Sequence, residues 1–242
     1  MVCLGSDIHS TSSEAVYTSV NQCLAASDEA VVSVDGKQEV LPAQETVYEN
    51  ADWVLHDGIG YLFPQGGRVV AGAQQQSGTW YDINNSVNRK EPVEEKVFTV
   101  SLDHGRQPEN ATYAYVVVPG KRTASEMEKY CKNNAIEILS NTADIQVVRH
   151  KKLDVWQMVF YRPGEFKYGK LSVRVDKPCA LMVKKVNSRR PVVHVADPGQ
   201  TGQPIQIKVR ISGSKGGEQT IDFRPSDNPI FAGATQSFTL KY

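Results

Sequence analysis

Cysteine is scarce: the 242 residues hold four, Cys3, Cys23, Cys131 and Cys179, with no Cys-x-x-Cys pair among them. That excludes a disulfide-built scaffold and gives no support to a zinc or dithiol site, so four free, mostly buried thiols are expected. No apolar run approaches the roughly 18 residues that a membrane-spanning helix needs. The start, Met1-Val2-Cys3-Leu4-Gly5-Ser6-Asp7, lacks a basic region followed by an apolar run, so no signal peptide or anchor is read there. Val2 to Leu4 reads instead as the middle of a buried strand, and the first residue can be a cut point. Gly-x-Gly-x-x-Gly, a phosphate-cradling loop, a nucleophile elbow and His-Glu-x-x-His are all missing, which leaves cofactor chemistry unsupported. Gly and Pro are scattered rather than concentrated in a tract, so disorder, collagen and coiled coil are excluded.

Net charge is zero but unevenly spread: residues 1–60 hold ten acidic side chains against one basic, Lys37, while 151–190 hold eleven basic against three acidic. Lys151, Lys152, Arg162, Lys167, Lys170, Arg174, Lys177, Lys184, Lys185, Arg189 and Arg190 make up the basic block. Clustered cations of this kind can face a polyanion. The plainer reading is that they are outward positions of hairpins, where Lys and Arg also protect strand edges.

Period-two alternation dominates, as in Leu171 to Val175, Ile205 to Ile211, Ile221 to Arg224 and Phe238 to Tyr242, and each predicts a strand with one face in water. Further strands are expected over Ala15 to Leu24, Val31 to Val34, Trp53 to Phe63, Arg68 to Ala73, Lys96 to Leu102 and Thr112 to Val118. Asp35-Gly36 marks a tight hairpin before Lys37 to Leu41, and Gly58-Ile59-Gly60 marks a bulge or a close backbone approach. Strand never alternates with helix as in a parallel α/β sheet, so the fold class is all-β with antiparallel sheets. One short helix connects the two parts: Thr123 with Glu126 is a capping-box pattern, Met127, Tyr130 and Cys131 share a face, and Asn133-Asn134 ends it. The boundary is set near residue 140, giving parts 1–140 and 141–242, with no internal repeat.

The histidines, at 9, 56, 104, 150 and 194, have no ligand spacing and read as structural hydrogen bonders at strand ends. His56-Asp57 and Asp103-His104 put a carboxylate next to an imidazole, but strand neighbours point to opposite faces. Asp28-Glu29 and Glu94-Glu95 are oxygen-rich enough to hold calcium, or are solvated turns; no other metal is expected. Trp53, Trp80 and Trp156 can offer faces to sugar rings or fill cores, and Trp80, in Ser77-Gly78-Thr79-Trp80-Tyr81, is the one expected at the surface. Asn84-Asn85-Ser86 and Asn110-Ala111-Thr112 match the glycosylation pattern.

Four segments in this order carry a more specific signal: Val2 to Ile8, His56-Asp57-Gly58-Ile59-Gly60-Tyr61-Leu62-Phe63-Pro64, Asp103-His104-Gly105 with Pro108, and Tyr113-Ala114-Tyr115-Val116-Val117-Val118-Pro119. Together they resemble polysaccharide lyase family 8, the chondroitin, hyaluronate and xanthan lyases. Gly78-Thr79-Trp80-Tyr81-Asp82-Ile83-Asn84 is similar to that family too, and Val195-Ala196-Asp197-Pro198-Gly199-Gln200 with the strand from Ile205 resembles its small terminal domain. The resemblance covers nearly the whole chain.

The resemblance implies an amino-terminal α-helical toroid, a central β supersandwich and a smaller carboxyl-terminal β-sandwich, and cleavage next to a uronic acid by β-elimination. In such a family an Asn and a positive charge neutralise the uronate while a Tyr and a His move the protons, which makes the neighbouring carbon acid easier to ionise. Those groups belong to the toroid, so no catalytic residue is carried onto this chain; His56, Tyr61 and His104 sit in β-domain motifs. The chain looks like the second half of the supersandwich plus the terminal domain. Its implied partners are an acidic polysaccharide and the toroid of the same enzyme, not nucleic acid or membrane, with homo-oligomers through unpaired strand edges. A secreted or periplasmic parent is implied. Trp80, Lys151, Lys152 and Lys167 are the substrate-binding candidates. The alternatives are an independent carbohydrate-binding module and a structural β-sandwich.

Overall fold

The computed structural model describes residues 1–27, 29–86, 88–213 and 217–241. Asp28, read with Glu29 as a calcium pair, and Tyr242, the end of the last alternating segment, lie outside them. Among the described residues the fold is four antiparallel sheets with little helix, in two compact units, Met1–Asn134 and Ala135–Tyr242. The sequence reading set the boundary near 140; strand Ile136–Asn141 goes with the second unit because it pairs with Ile145–His150.

In the first unit a six-stranded sheet runs in the order Val2–Ile8, Ala111–Pro119, Ile59–Leu62, Trp53–His56, Val31–Val34, Lys37–Val40. A four-stranded sheet runs Ala15–Leu24, Val93–Arg106, Val69–Gly78, Thr46–Tyr48. Val32, Val54, Tyr61 and Phe63 join Val69, Ala71, Phe98 and Val100 in one core. Two hairpins in the larger sheet turn on Asp-Gly: Asp35 and Gly36 have φ of 48° and 89°, Asp57 and Gly58 of 44° and 76°. Positive φ at both central residues matches the strand twist, and Asp and Gly reach that region at least cost.

Trp53 to Phe63 is therefore not one strand, as expected, but two, Trp53–His56 and Ile59–Leu62, folded back at Asp57-Gly58. The close approach read into Gly58 to Gly60 is real and lies at Gly60, where a Cβ would stand 2.5 Å from Met127 Sδ. Met127 belongs to helix Ala124–Lys132, which lays it, fully buried, against this sheet. The helix starts as its sequence predicts: Thr123 Oγ1 accepts from the Glu126 amide at 3.2 Å, and Glu126 Oε2 accepts from the Arg122 amide at 2.7 Å. A second helical turn, Trp80–Ile83, was not anticipated; Thr79 caps it by accepting from the Asp82 amide.

Two further expectations change. Val2–Ile8 is not the middle of a buried strand: it is half-buried, because it ends the sheet with a single neighbour. Of the four free thiols only Cys179 is buried; Cys23 is exposed on the edge strand Ala15–Leu24.

The second unit repeats the two-sheet plan. One sheet orders Ile136–Asn141, Ile145–His150, Val155–Phe160, Cys179–Lys184, Val192–Ala196, Gln236–Thr239, and the other Gly164–Tyr168, Leu171–Val175, Ile205–Ile211, Glu218–Phe223. Phe160, Leu171, Val173, Val183, Ile207 and Phe223 sit in its core. Burying one face of each strand in this way gives the period-two pattern of its sequence.

Candidate functional site

Trp80 is the exposed tryptophan of the three: 53% of it is accessible, against 4% for both Trp53 and Trp156. The core reading thus holds for Trp53 and Trp156, and Trp80 lies at the surface as expected. Trp80 opens the turn Trp80–Ile83 at the tip of the hairpin formed by Val69–Gly78 and Val93–Arg106, and it borders two depressions, of about 440 and 330 Å3. Asn88, Arg89 and Glu91 line the larger; Thr79, Asp82, Ile83 and Glu95 line the smaller.

The three lysines belong to the second unit, Trp80 to the first. Lys151 and Lys152 occupy the 3-10 turn Lys151–Leu153, and Lys167 lies on Gly164–Tyr168, an edge strand of the other sheet of the second unit. Lys151 pairs with Glu137 at 3.6 Å, Lys167 and Arg174 both reach Glu165 at 3.0 Å, and Arg162 pairs with Asp144 at 3.4 Å. Hydrogen bonds from Lys167 first, then Arg174 and Ser172, hold the Glu165 carboxyl down at about 2. The basic block is thus spread over turns and edges, and acids answer part of its charge.

The histidines are tied to local structure. His56, 6% exposed, stacks on Phe98 at 3.8 Å, and its Nδ1 faces the Val31 carbonyl at 3.1 Å. A carbonyl only accepts, so Nδ1 donates, and the buried Nε2 has no partner among the described residues. His104 Nε2 meets Thr18 Oγ1 at 2.7 Å, and burial lowers its pKa. Asp103, beside it in sequence, turns to Arg68 at 3.2 Å and the Gly105 amide at 2.8 Å. Tyr61 is 2% exposed; burial pushes its phenol up to about 12, against the hydrogen bond that Asn21 donates at 2.7 Å. Tyr61 and His56 are buried, and the half-buried His104 is engaged with Thr18. Among the described residues no group of three or more His, Cys, Asp or Glu could hold a metal ion, and Glu94 and Glu95 are exposed neighbours on a strand.

The four signature segments fall together. Val2–Ile8, Ala111–Pro119 and Ile59–Leu62 are adjacent strands of one sheet, and Asp103 to Gly105 ends the strand facing that sheet across the core. Residues 1–131 match the super-sandwich domain of polysaccharide lyase family 8, and residues 137–206 match its C-terminal beta-sandwich domain. The chain belongs to this family.

Among its curated relatives, the family 8 chain is 36% identical to the chondroitinase-AC of Pedobacter heparinus, an alignment that covers 97% of this chain and 33% of the relative. It is 31% identical to the hyaluronate lyase of Thermasporomyces composti, covering 86% of this chain and 26% of that one. In structure it superimposes on a chondroitinase AC lyase with a TM-score of 0.86 at 34% identity, over 98% of this chain and 34% of the other, and on a Paenibacillus xanthan lyase with 0.78 at 25%, over 99% and 23%. The chain spans about a third or less of the length of these relatives. Asn88 and Arg89 escaped the sequence reading; the signal was an Arg-Lys pair following the aromatic Trp80-Tyr81, closed into one turn.

Proposed function

We propose that this chain is the β-sheet part of a lyase that cuts uronate-containing polysaccharides by β-elimination, supplying scaffold and sugar-contacting surface while the proton transfers belong to residues outside it. The observation that carries this reading is the 36% identity to a chondroitinase-AC along 97% of this chain but only 33% of that enzyme. The site chemistry agrees with it. β-Elimination needs a base within hydrogen-bonding reach of the proton it removes, and Tyr61 and His56 are buried in the sandwich while the half-buried His104 is already bonded to Thr18. The natural partners under this reading are the acidic polysaccharide and the helical toroid of the same enzyme, and the polymeric substrate goes with a secreted or periplasmic location.

The test is to incubate the purified chain with chondroitin sulfate, hyaluronan and xanthan and to follow the ultraviolet absorbance of the unsaturated uronate product. No product is expected, while the chain is retained on an immobilised polysaccharide at low salt. Product formation abolished by Tyr61→Phe or His104→Ala would sink the non-catalytic assignment and place a second site in the β region.

A further inference from the structure

The hairpin that carries Trp80 leaves its sheet before it ends. Strand Val93–Arg106 has a neighbour on each side at Val97, which pairs with Leu24 and with Gln74. The Ala25 amide still donates to the Lys96 carbonyl at 2.8 Å; beyond Lys96 three pairs, Gln76 with Glu95 through Gly78 with Val93, form a two-stranded ribbon among the described residues, and the turn Trp80–Ile83 sits at its end. The turn buries no residue, so the indole contributes nothing to a core. Its apolar area, worth roughly 25 cal/mol per Å2 when removed from water, is left for a ligand.

The turn that carries the indole is nevertheless held in place. Thr79 Oγ1 donates to Asp82 Oδ2 at 2.7 Å, and the Asn84 amide donates to the Trp80 carbonyl at 2.9 Å. The Tyr81 amide donates to the Arg89 carbonyl at 3.2 Å, which clamps Arg89 against the turn, and Lys90 Nζ stands 4.6 Å from the centre of the Tyr81 ring. Asn88, Arg89 and Glu91 share the larger depression with Trp80. Its volume, and that of the smaller one, fall at the lower end of the range for small-ligand sites, about 300–1,000 Å3. An exposed aromatic plane on a braced turn, flanked by an amide, a carboxylate and a guanidinium, suits a sugar ring: the C–H face lies on the indole, and the hydroxyls bond the amide and the carboxylate. Among the described residues Arg89 makes no ion pair, so its planar fork is available to a carboxylate. Asp82, Glu91 and Glu95, lining the same depressions, repel a dense polyanion. They accept hydroxyl hydrogens from a sparsely charged chain without that cost.

We propose that the tip of this hairpin is a saccharide-binding platform for a polysaccharide in which uronates alternate with neutral sugars, one ring stacked on Trp80 and a uronate carboxylate on Arg89. This rests on the reading of the chain as part of a uronate-polysaccharide lyase, and adds a contact point and a preference for sparse charge. Trp53 and Trp156 are buried, so a change in tryptophan fluorescence on binding reports Trp80. The experiment titrates the whole chain with hyaluronan oligosaccharides and with heavily sulfated chondroitin oligosaccharides, following fluorescence and heat. Hyaluronan is expected to bind more tightly. Trp80→Ala should weaken it roughly tenfold, the scale of one aromatic stacking contact, with thermal unfolding unchanged. Arg89→Gln should weaken hyaluronan but not its carboxyl-reduced form. Equal affinity in wild type and Trp80→Ala overturns the platform. If instead Lys151→Gln, Lys152→Gln and Lys167→Gln together abolish binding, the polysaccharide reading stands and the platform falls. If no oligosaccharide binds at low salt, both the platform and the sugar-contacting part of that reading fail.

Discussion

The two units are built to one plan but meet water differently. In the second, Cys179–Lys184 and Ile205–Ile211 alternate between buried and accessible residues without a break. In the first, all of Trp53–His56 is buried, as are Val69 to Ala73 of the strand facing it. Helix Ala124–Lys132 accounts for part of this: by laying Met127 on Gly60 it covers the outer face of the six-stranded sheet, whose inner face already packs on the core. Period-two patterning marks a strand only when one of its faces is wet.

The largest effect should come from the one-sided unit. Phe223→Ala removes a fully buried ring from its core and should cost about 3–5 kcal/mol in urea unfolding followed through Trp156; a loss below about 1 kcal/mol would mean that this core repacks freely. In the two-sided unit, Gly60→Val drives a side chain into Met127, a clash expected to cost about 1–3 kcal/mol. Adding Met127→Ala should recover part of that loss, and strictly additive effects would show that helix and strand do not press on each other. Thr123→Ala removes the cap of the same helix and should cost about 1 kcal/mol, read from thermal unfolding, with Thr123→Ser restoring it.

The smallest effect is electrostatic and belongs to the second unit. Glu165 should titrate near 2 by carbon NMR and move up toward the ordinary value of about 4.3 in Lys167→Gln and further in Lys167→Gln with Arg174→Gln. Its folded value lies below its unfolded one, so its contribution to stability is complete above about pH 4.3 and fades as the pH falls toward 2. A Glu165 midpoint unmoved in the double variant would mean that the two cations do not set it.

Sequence legibility follows the same division. Leu171–Val175 and Ile205–Ile211 were readable to the residue because polar side chains alternate along them. Trp53 to Phe63 read as one strand because its apolar residues run on through both arms of the hairpin, and only Asp57-Gly58 betrays the turn. The cap at Thr123 was legible from Glu126, and the same spacing between Thr79 and Asp82 announced the second turn but stood beside an aromatic pair that drew the reading toward sugars. Of the candidate site, the exposure of Trp80 was legible and its company was not. Lys151 and Lys152 sit on a 3-10 turn and Lys167 on an edge strand, whereas Asn88 and Arg89 come round to Trp80 through a turn that no periodicity encodes.

The ribbon beyond Lys96 has a mechanical consequence. Three pairs at about 3.4 Å per residue make an arm of roughly 10 Å that, among the described residues, pairs with no third strand, and two-stranded ribbons take the larger twists. A long polymer dragging on Trp80 along the arm would load strand Val93–Arg106 lengthwise, toward Phe98 and Val100 in the core. The hydrogen bonds to Ala15–Leu24 and Val69–Gly78 would then share the tension in shear rather than open one after another.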